Sequence, residues 1–129
     1  ANLYDHTKIK ERSDTRPIFD QITCIEEPEA NLHPKFQAEL GQLFAEISKN
    51  SIQSRNQILI ETHSQNLTLR LLKLVRQGFI HPSDVALNCL YRNSKDEISV
   101  FTPEILDNGN FVGSWPGGFF DEDLYELND

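Results

Sequence analysis

Three side chains in this sequence are of the types that serve phosphoryl transfer. Glu26 and Glu27 follow the β-branched run Ile22-Thr-Cys-Ile25, and His63 closes a second run, Ile58-Leu-Ile-Glu-Thr62. A carboxylate at the end of a buried strand can hold Mg²⁺, largely through water, because that ion takes oxygen ligands and keeps part of its hydration shell. A second carboxylate beside it can orient or deprotonate an attacking water. An imidazole at a neighbouring strand end can donate a hydrogen bond to phosphate oxygens as charge moves during transfer.

These groups meet only if the chain between them folds in a particular way. Gln21 to Ile25 reads as a buried strand. Pro34 opens a helix, at the position where its missing N–H costs nothing. Phe36, Leu40, Leu43, Phe44 and Ile47 then supply one apolar helical face, ending near Asn50. A polar loop leads to a second buried strand, Gln57 to Glu61. Strand, helix, strand makes a βαβ unit with a right-handed crossover and parallel strands. Both strands then end on one edge of the sheet, where open α/β sheets bind ligands. Adjacent residues on a strand face opposite ways, so Glu26 and Glu27 share a ligand only if the strand has ended between them. Pro28 favours that by steering Glu27 away from the helical region.

Ser64 can cap the next helix, whose apolar face is Leu67, Leu71, Leu74 and Val75, and Gly78 suits its stop. Val85 to Tyr91 and Glu97 to Thr102, joined by the turn-forming Asn93-Ser-Lys-Asp96, read as an antiparallel hairpin. The expected fold class is α/β: a mainly parallel sheet from a βαβ unit, with an antiparallel C-terminal hairpin. Residues 1–17 read as a polar arm or cut end, 18–102 as the αβ unit, and 103–129 as an acidic, aromatic C-terminal module.

The 129 residues fit one domain or part of one, and a hydrophobic share of 38% gives a modest core that leaves room for an interface with further chain. The net charge is −8, and residues 103–129 hold seven carboxylates with neither Lys nor Arg. That balance argues against a free-standing nucleic-acid binder with a basic face, although the remaining chain is close to neutral and leaves room for a basic or neutral face upstream. Cys24 and Cys89 sit in apolar runs and read as buried free thiols rather than metal ligands. No apolar run approaches the ~20 residues of a membrane span, and the N-terminus lacks a signal-peptide core. The cytoplasm is the default location.

The stretch Ile25-Glu-Glu-Pro-Glu-Ala-Asn-Leu-His-Pro34 resembles the Walker B and D-loop segment of ABC-type ATPases, in the branch containing SMC, RecF and OLD-like proteins. Ile58-Leu-Ile-Glu-Thr-His-Ser64 is similar to their switch-histidine strand. The resemblance implies a P-loop NTPase-like half domain, with Glu26 in the Walker B position near Mg²⁺ and ATP. It implies Glu27 as the catalytic glutamate and His63 as the histidine that senses the γ-phosphate. Ala30, Asn31, Leu32 and His33 take the D-loop position, which in that branch crosses a homodimer interface between two nucleotide sites. Ser114-Trp-Pro-Gly-Gly-Phe-Phe-Asp-Glu-Asp123 resembles a short C-terminal module of unknown function found on some bacterial members.

The sequence has no GxxxxGK[ST] loop to cradle phosphates and no LSGG-like signature before the first strand. The expectation is therefore a chain that is inactive or nearly so by itself. A missing N-terminal ATPase half or a partner chain would supply the rest, and nucleic acid would be reached only through the full assembly. A non-catalytic assembly module that retains the fold is the alternative.

Plainer roles stand beside these. Glu29 and Glu61 read as structural supports, Thr62 and Ser64 as caps, and His33 as either a helix-leading residue or an interface residue. Asp121-Glu-Asp123 has the look of a nuclease metal motif, but no strand leads into it and a helix start explains its acids equally well. Trp115, Phe119 and Phe120 read as the residues that dock the C-terminal module.

Overall fold

A computed structural model of the chain describes residues 21–51 and 56–120. The expected polar arm at 1–17 and the Asp121-Glu-Asp123 motif lie outside the described residues. Strand β1 (Gln21–Glu26) leads through a turn to helix α1 (Pro34–Ser51). Strand β2 (Asn56–Glu61) and helix α2 (Gln65–Arg76) follow, and a hairpin of β3 (Cys89–Arg92) and β4 (Ile98–Phe101) lies beyond. β1 and β2 pair in parallel, in a register that runs from Gln21 opposite Asn56 to Glu26 opposite Glu61. β3 and β4 pair antiparallel and form a second sheet of their own. The α/β expectation holds, as two separate two-stranded sheets. Among the described residues no helix is long and apolar enough to cross a membrane.

The helix ends follow their sequence signals. Pro34 is the first residue of α1, and the ring Nδ1 of His33 accepts the Lys35 N–H at 3.3 Å, so His33 caps that helix. Ser64 caps α2, its hydroxyl accepting the Leu67 N–H at 3.1 Å. Gly78, at φ 69°, closes α2. The Phe79 N–H reaches Leu74 O and the Gly78 N–H reaches Val75 O, both at 2.9 Å. That paired closure needs a left-handed residue where glycine stands.

Two expectations about burial are corrected. α1 packs chiefly along α2, and only part of its expected apolar face is covered. Gly41, Phe44 and Ala45 are buried, while Phe36, Leu43 and Ile47 are exposed. At Gly41 the helices come so close that a Cβ would stand 2.7 Å from the Leu67 carbonyl oxygen. Phe44 and the half-buried Leu40 keep their expected places, while Phe36, Leu43 and Ile47 stand outside the contact. The strands, too, are not buried on both faces. Ile22 and Leu59, each 58% exposed, lie with Cys24 on an uncovered face, while Ile58 and Ile60 on the other face are half-buried. Cys24 is therefore an exposed thiol, not a core one.

The core itself joins Ala45 of α1 to Leu74 and Val75 of α2 and to Ile80, with Leu71, Phe79, Val85 and Ile105 packed around them. The strand expected from Val85 is shorter than its apolar pattern, because Pro82–Asp84 forms a 3₁₀ turn and pairing with β4 starts only at Cys89. The residues after β4 fold back over α2. Phe120 is fully buried, and its ring meets Trp115 edge-on at 4.8 Å. The Gln65 side chain donates to the Phe119 carbonyl, tying this cluster to the first turn of α2.

Candidate functional site

The site lies where β1 and β2 end. β1 stops at Glu26, and Glu27 turns the chain with φ 43°. Positive φ is uncommon for a residue with a Cβ and costs free energy that the surroundings must offset. Here the Glu27 N–H still donates to Glu61 O at 2.8 Å, adding one last rung to the parallel ladder before the turn. Two tight turns follow: Ala30 N–H bonds Glu27 O, and Leu32 N–H bonds Glu29 O, both at 3.0 Å. Asn31 sits inside the second turn at φ 62°, a conformation that asparagine tolerates better than most side chains. Ala30, Asn31, Leu32 and His33 are all exposed.

Across from this turn, the chain leaving β2 carries His63. Its Nε2 lies 3.5 Å from Glu27 Oε1, with side chains 77% and 58% exposed respectively. The convergence expected at the strand ends is thus present for Glu27 and His63. Glu26 stands one residue earlier, on the uncovered sheet face, directly across from Glu61. Two like charges side by side on one face repel, and a cation beside them would relieve that repulsion. Among the described residues, no group of three or more His, Cys, Asp or Glu side chains could hold a metal. Mg²⁺ does not need such a cage, since it is commonly bound by one or two carboxylates with water and phosphate oxygens. Glu26 fits that mode.

Glu29 is the acid whose part in the site the sequence understated. It is 8% exposed, and its Oε1 accepts the His63 backbone N–H at 2.7 Å. Its Oε2 is buried without a hydrogen-bond partner. Burial pushes the Glu29 carboxyl upward, but its own backbone N–H, the nearby Thr62 hydroxyl, the His63 N–H and the His63 charge together pull it below the usual value.

Gln37, which resembles an ordinary solvent-face residue in sequence, ties the same region together. Its Nε2 donates to Leu32 O at 3.0 Å, and its Oε1 accepts the Ser64 hydroxyl at 2.8 Å. The turn after β1, the start of α1 and the start of α2 are therefore one hydrogen-bonded unit. Only the half-buried burial of Gln37 and its place one turn into α1 mark it, and neither can be read without the fold.

Residues 4–68, half of the chain, match the family model described as an AAA ATPase domain. The chain belongs to that family. Every residue of the strand-end site falls inside the match, so an ATPase-type function and the use of ATP and Mg²⁺ follow at the level of the AAA ATPase family. Residues 80–129 match a second family, described as a protein of unknown function (DUF3696). That match takes in the hairpin and the aromatic segment folded over α2. No curated protein and no solved structure matches the chain.

Proposed function

We propose that this chain supplies the acids, D-loop and switch histidine of an ATP-hydrolysing site of the ABC, SMC, RecF and OLD-like kind. The observation that carries the reading is the pairing of Glu27 with His63 at 3.5 Å, at the edge where two parallel strands end. In this reading Glu27 orients or deprotonates a water, and His63 hydrogen-bonds a phosphate oxygen as charge develops on it. Glu26 would hold Mg²⁺ through its hydration shell, and the ion would neutralise charge on the phosphates. The exposed turn Ala30–His33 is available to a second copy of the chain across paired nucleotide sites. The phosphate-binding loop would come from sequence joined to this chain or from a partner, since positioning and charge neutralisation dominate phosphoryl transfer.

The test compares ATP turnover by the 129-residue chain with turnover by its assembly with a phosphate-binding half. The expected result is negligible turnover alone and measurable turnover in the assembly. In the assembly Glu27→Gln should lower kcat by about 10²–10⁴-fold, the range of general-base contributions. Turnover by the isolated chain that Glu27→Gln abolishes would overturn the claim that the site needs a second part. Full activity of the Glu27→Gln assembly would overturn the role of Glu27.

A second reading, a non-catalytic assembly module, is favoured by the uncovered apolar rows: Ile22 and Leu59 on the sheet, and Phe36, Leu43 and Ile47 on α1. Exposed apolar surface of this kind marks interaction sites. Oligomerisation that is lost on Phe36→Asp, in an assembly whose state ignores ATP, would select this reading.

A further inference from the structure

We propose that Glu29 is a positioning residue, whose buried carboxylate fixes the main chain at His63 and thereby holds the imidazole facing Glu27. The proposal rests on the ATPase reading for its functional consequence but not for its geometry. The Glu27–His63 pair cannot hold itself. Both side chains are largely exposed, and an exposed ion pair is typically weak because water screens it and two side chains must be ordered to form it. The Glu29 bond differs on each count. It is short at 2.7 Å, its acceptor is a carboxylate, and that carboxylate is buried. Charge-assisted hydrogen bonds away from water are about twice as strong as neutral ones. It also acts on backbone, so it sets where the whole His63 residue starts rather than one rotamer.

The turn around Glu29 joins the two partners directly. Glu29 lies two residues after Glu27 in the same tight turn, and it grips the residue that presents the imidazole. The Glu27 N–H to Glu61 O rung closes the other side of the junction. Glu27 and His63 are therefore linked through backbone on one side and through the Glu29 side chain on the other. Removing the side-chain link leaves the His63 main chain held only through its neighbours, the end of β2 on one side and the capping Ser64 on the other. A catalytic group held loosely by an ångström can lose about 10²-fold in rate, so the arrangement predicts a large kinetic effect from a residue that need not touch nucleotide.

The experiment uses Glu29→Met, which fills similar space without an acceptor, and Glu29→Gln, which keeps an oxygen for the His63 N–H. In the 129-residue chain, amide hydrogen exchange at His63 should quicken about tenfold or more in Glu29→Met and stay near wild type in Glu29→Gln. The nuclear Overhauser contact between the His63 ring and the Glu27 side chain should vanish in the first variant and persist in the second. In the ATP-hydrolysing assembly, Glu29→Met should lower kcat by about ten- to a hundredfold with KM little changed. Glu29→Gln should recover most of that loss, and adding Glu29→Met to His63→Ala should bring no further loss.

A purely structural role would instead give losses additive with His63→Ala. That result, or unchanged His63 exchange in Glu29→Met, or a ring contact that survives loss of the amide protection, would overturn the proposal. If no assembly hydrolyses ATP, the ATPase reading fails by itself. The exchange and ring-contact measurements then still decide whether Glu29 holds His63.

Discussion

Replacing Gly41 with alanine should weaken this fold, although the same change stabilises most helices. In an open helix interior, Gly→Ala is worth about 0.8–1 kcal/mol in favour of alanine, because glycine loses more backbone freedom on folding. Here the new Cβ would stand 2.7 Å from the Leu67 carbonyl oxygen and 3.0 Å from Arg70 Cβ. The first of these is main chain and cannot swing aside, so α2 must move as a body. Overpacking of this kind costs about 1–3 kcal/mol. The net expectation is a loss of roughly 1 kcal/mol, with a range from near zero to about 2. One kcal/mol corresponds to a fall of about 3–6 °C in Tm for a chain of this size.

The displacement should also reach the site, because Leu67 is the residue whose N–H the Ser64 hydroxyl caps, and that hydroxyl bonds Gln37 on α1. Urea unfolding and calorimetry of wild type and Gly41→Ala measure the first effect, and the His63 amide shift measures the second. Gly78→Ala is the control: its Cβ meets nothing within 4 Å, but φ 69° strains it, so it should lose stability without moving the His63 signal. A gain of about 1 kcal/mol in Gly41→Ala, the open-helix value, would refute the close α1–α2 approach.

Other outcomes follow from the same contacts. Glu29 has a lowered pKa in the folded chain, so its stabilising contribution is full above the unfolded carboxylate value of about 4.3 and is lost as pH falls through the lower folded value; urea midpoints from pH 7 down to 3 should drop less steeply in Glu29→Gln. Ser64→Ala should cost about 0.5–2 kcal/mol, the usual effect of losing an N-cap, read as a urea midpoint, and should leave Gln37 bonded only to Leu32 O. Gly109→Ala combines φ 78° with a Cβ pressed on the Leu72 carbonyl, so it should lift the aromatic segment from α2 and shift Trp115 fluorescence to the red.

Sequence patterns located the helices because their signals are local. Pro34 fixes a first turn, Ser64 accepts an N–H three residues on, and Gly78 takes the one conformation that closes α2. The meeting of Glu27 and His63 was also legible, because the order strand, helix, strand leaves few topologies. The covered face of α1 was legible only in part: Phe44 is buried and Leu40 half-buried as their spacing suggests. Phe36, Leu43 and Ile47 carry more hydrophobicity than Gly41 and Ala45, but a close helix contact favours small residues, and periodicity does not say which of two neighbouring rows is the contact. The weight of Glu29 was hidden for a different reason: its partner is a backbone N–H 34 residues away, and a backbone group leaves no mark in sequence.

The backbone at Glu27 is not explained by stability. A glycine or asparagine would take φ 43° at less cost than a glutamate. The glutamate there pays with strain at an exposed position, where its side chain packs little, and its one polar side-chain partner among the described residues is the equally exposed His63. Stability does not account for that choice, because an exposed pair returns at most about 1 kcal/mol and strain of this kind takes a similar amount. Geometry does account for it. The positive φ ends β1 one residue after Glu26, so successive acids leave the strand in different directions, one onto the uncovered face and one toward His63. Pro28 and the Glu29 bond then hold the turn in that shape. Glu27→Gly should accordingly raise the unfolding midpoint slightly while removing the group that faces the histidine, and a drop in midpoint would mean that the Glu27–His63 pair contributes more than its exposure allows.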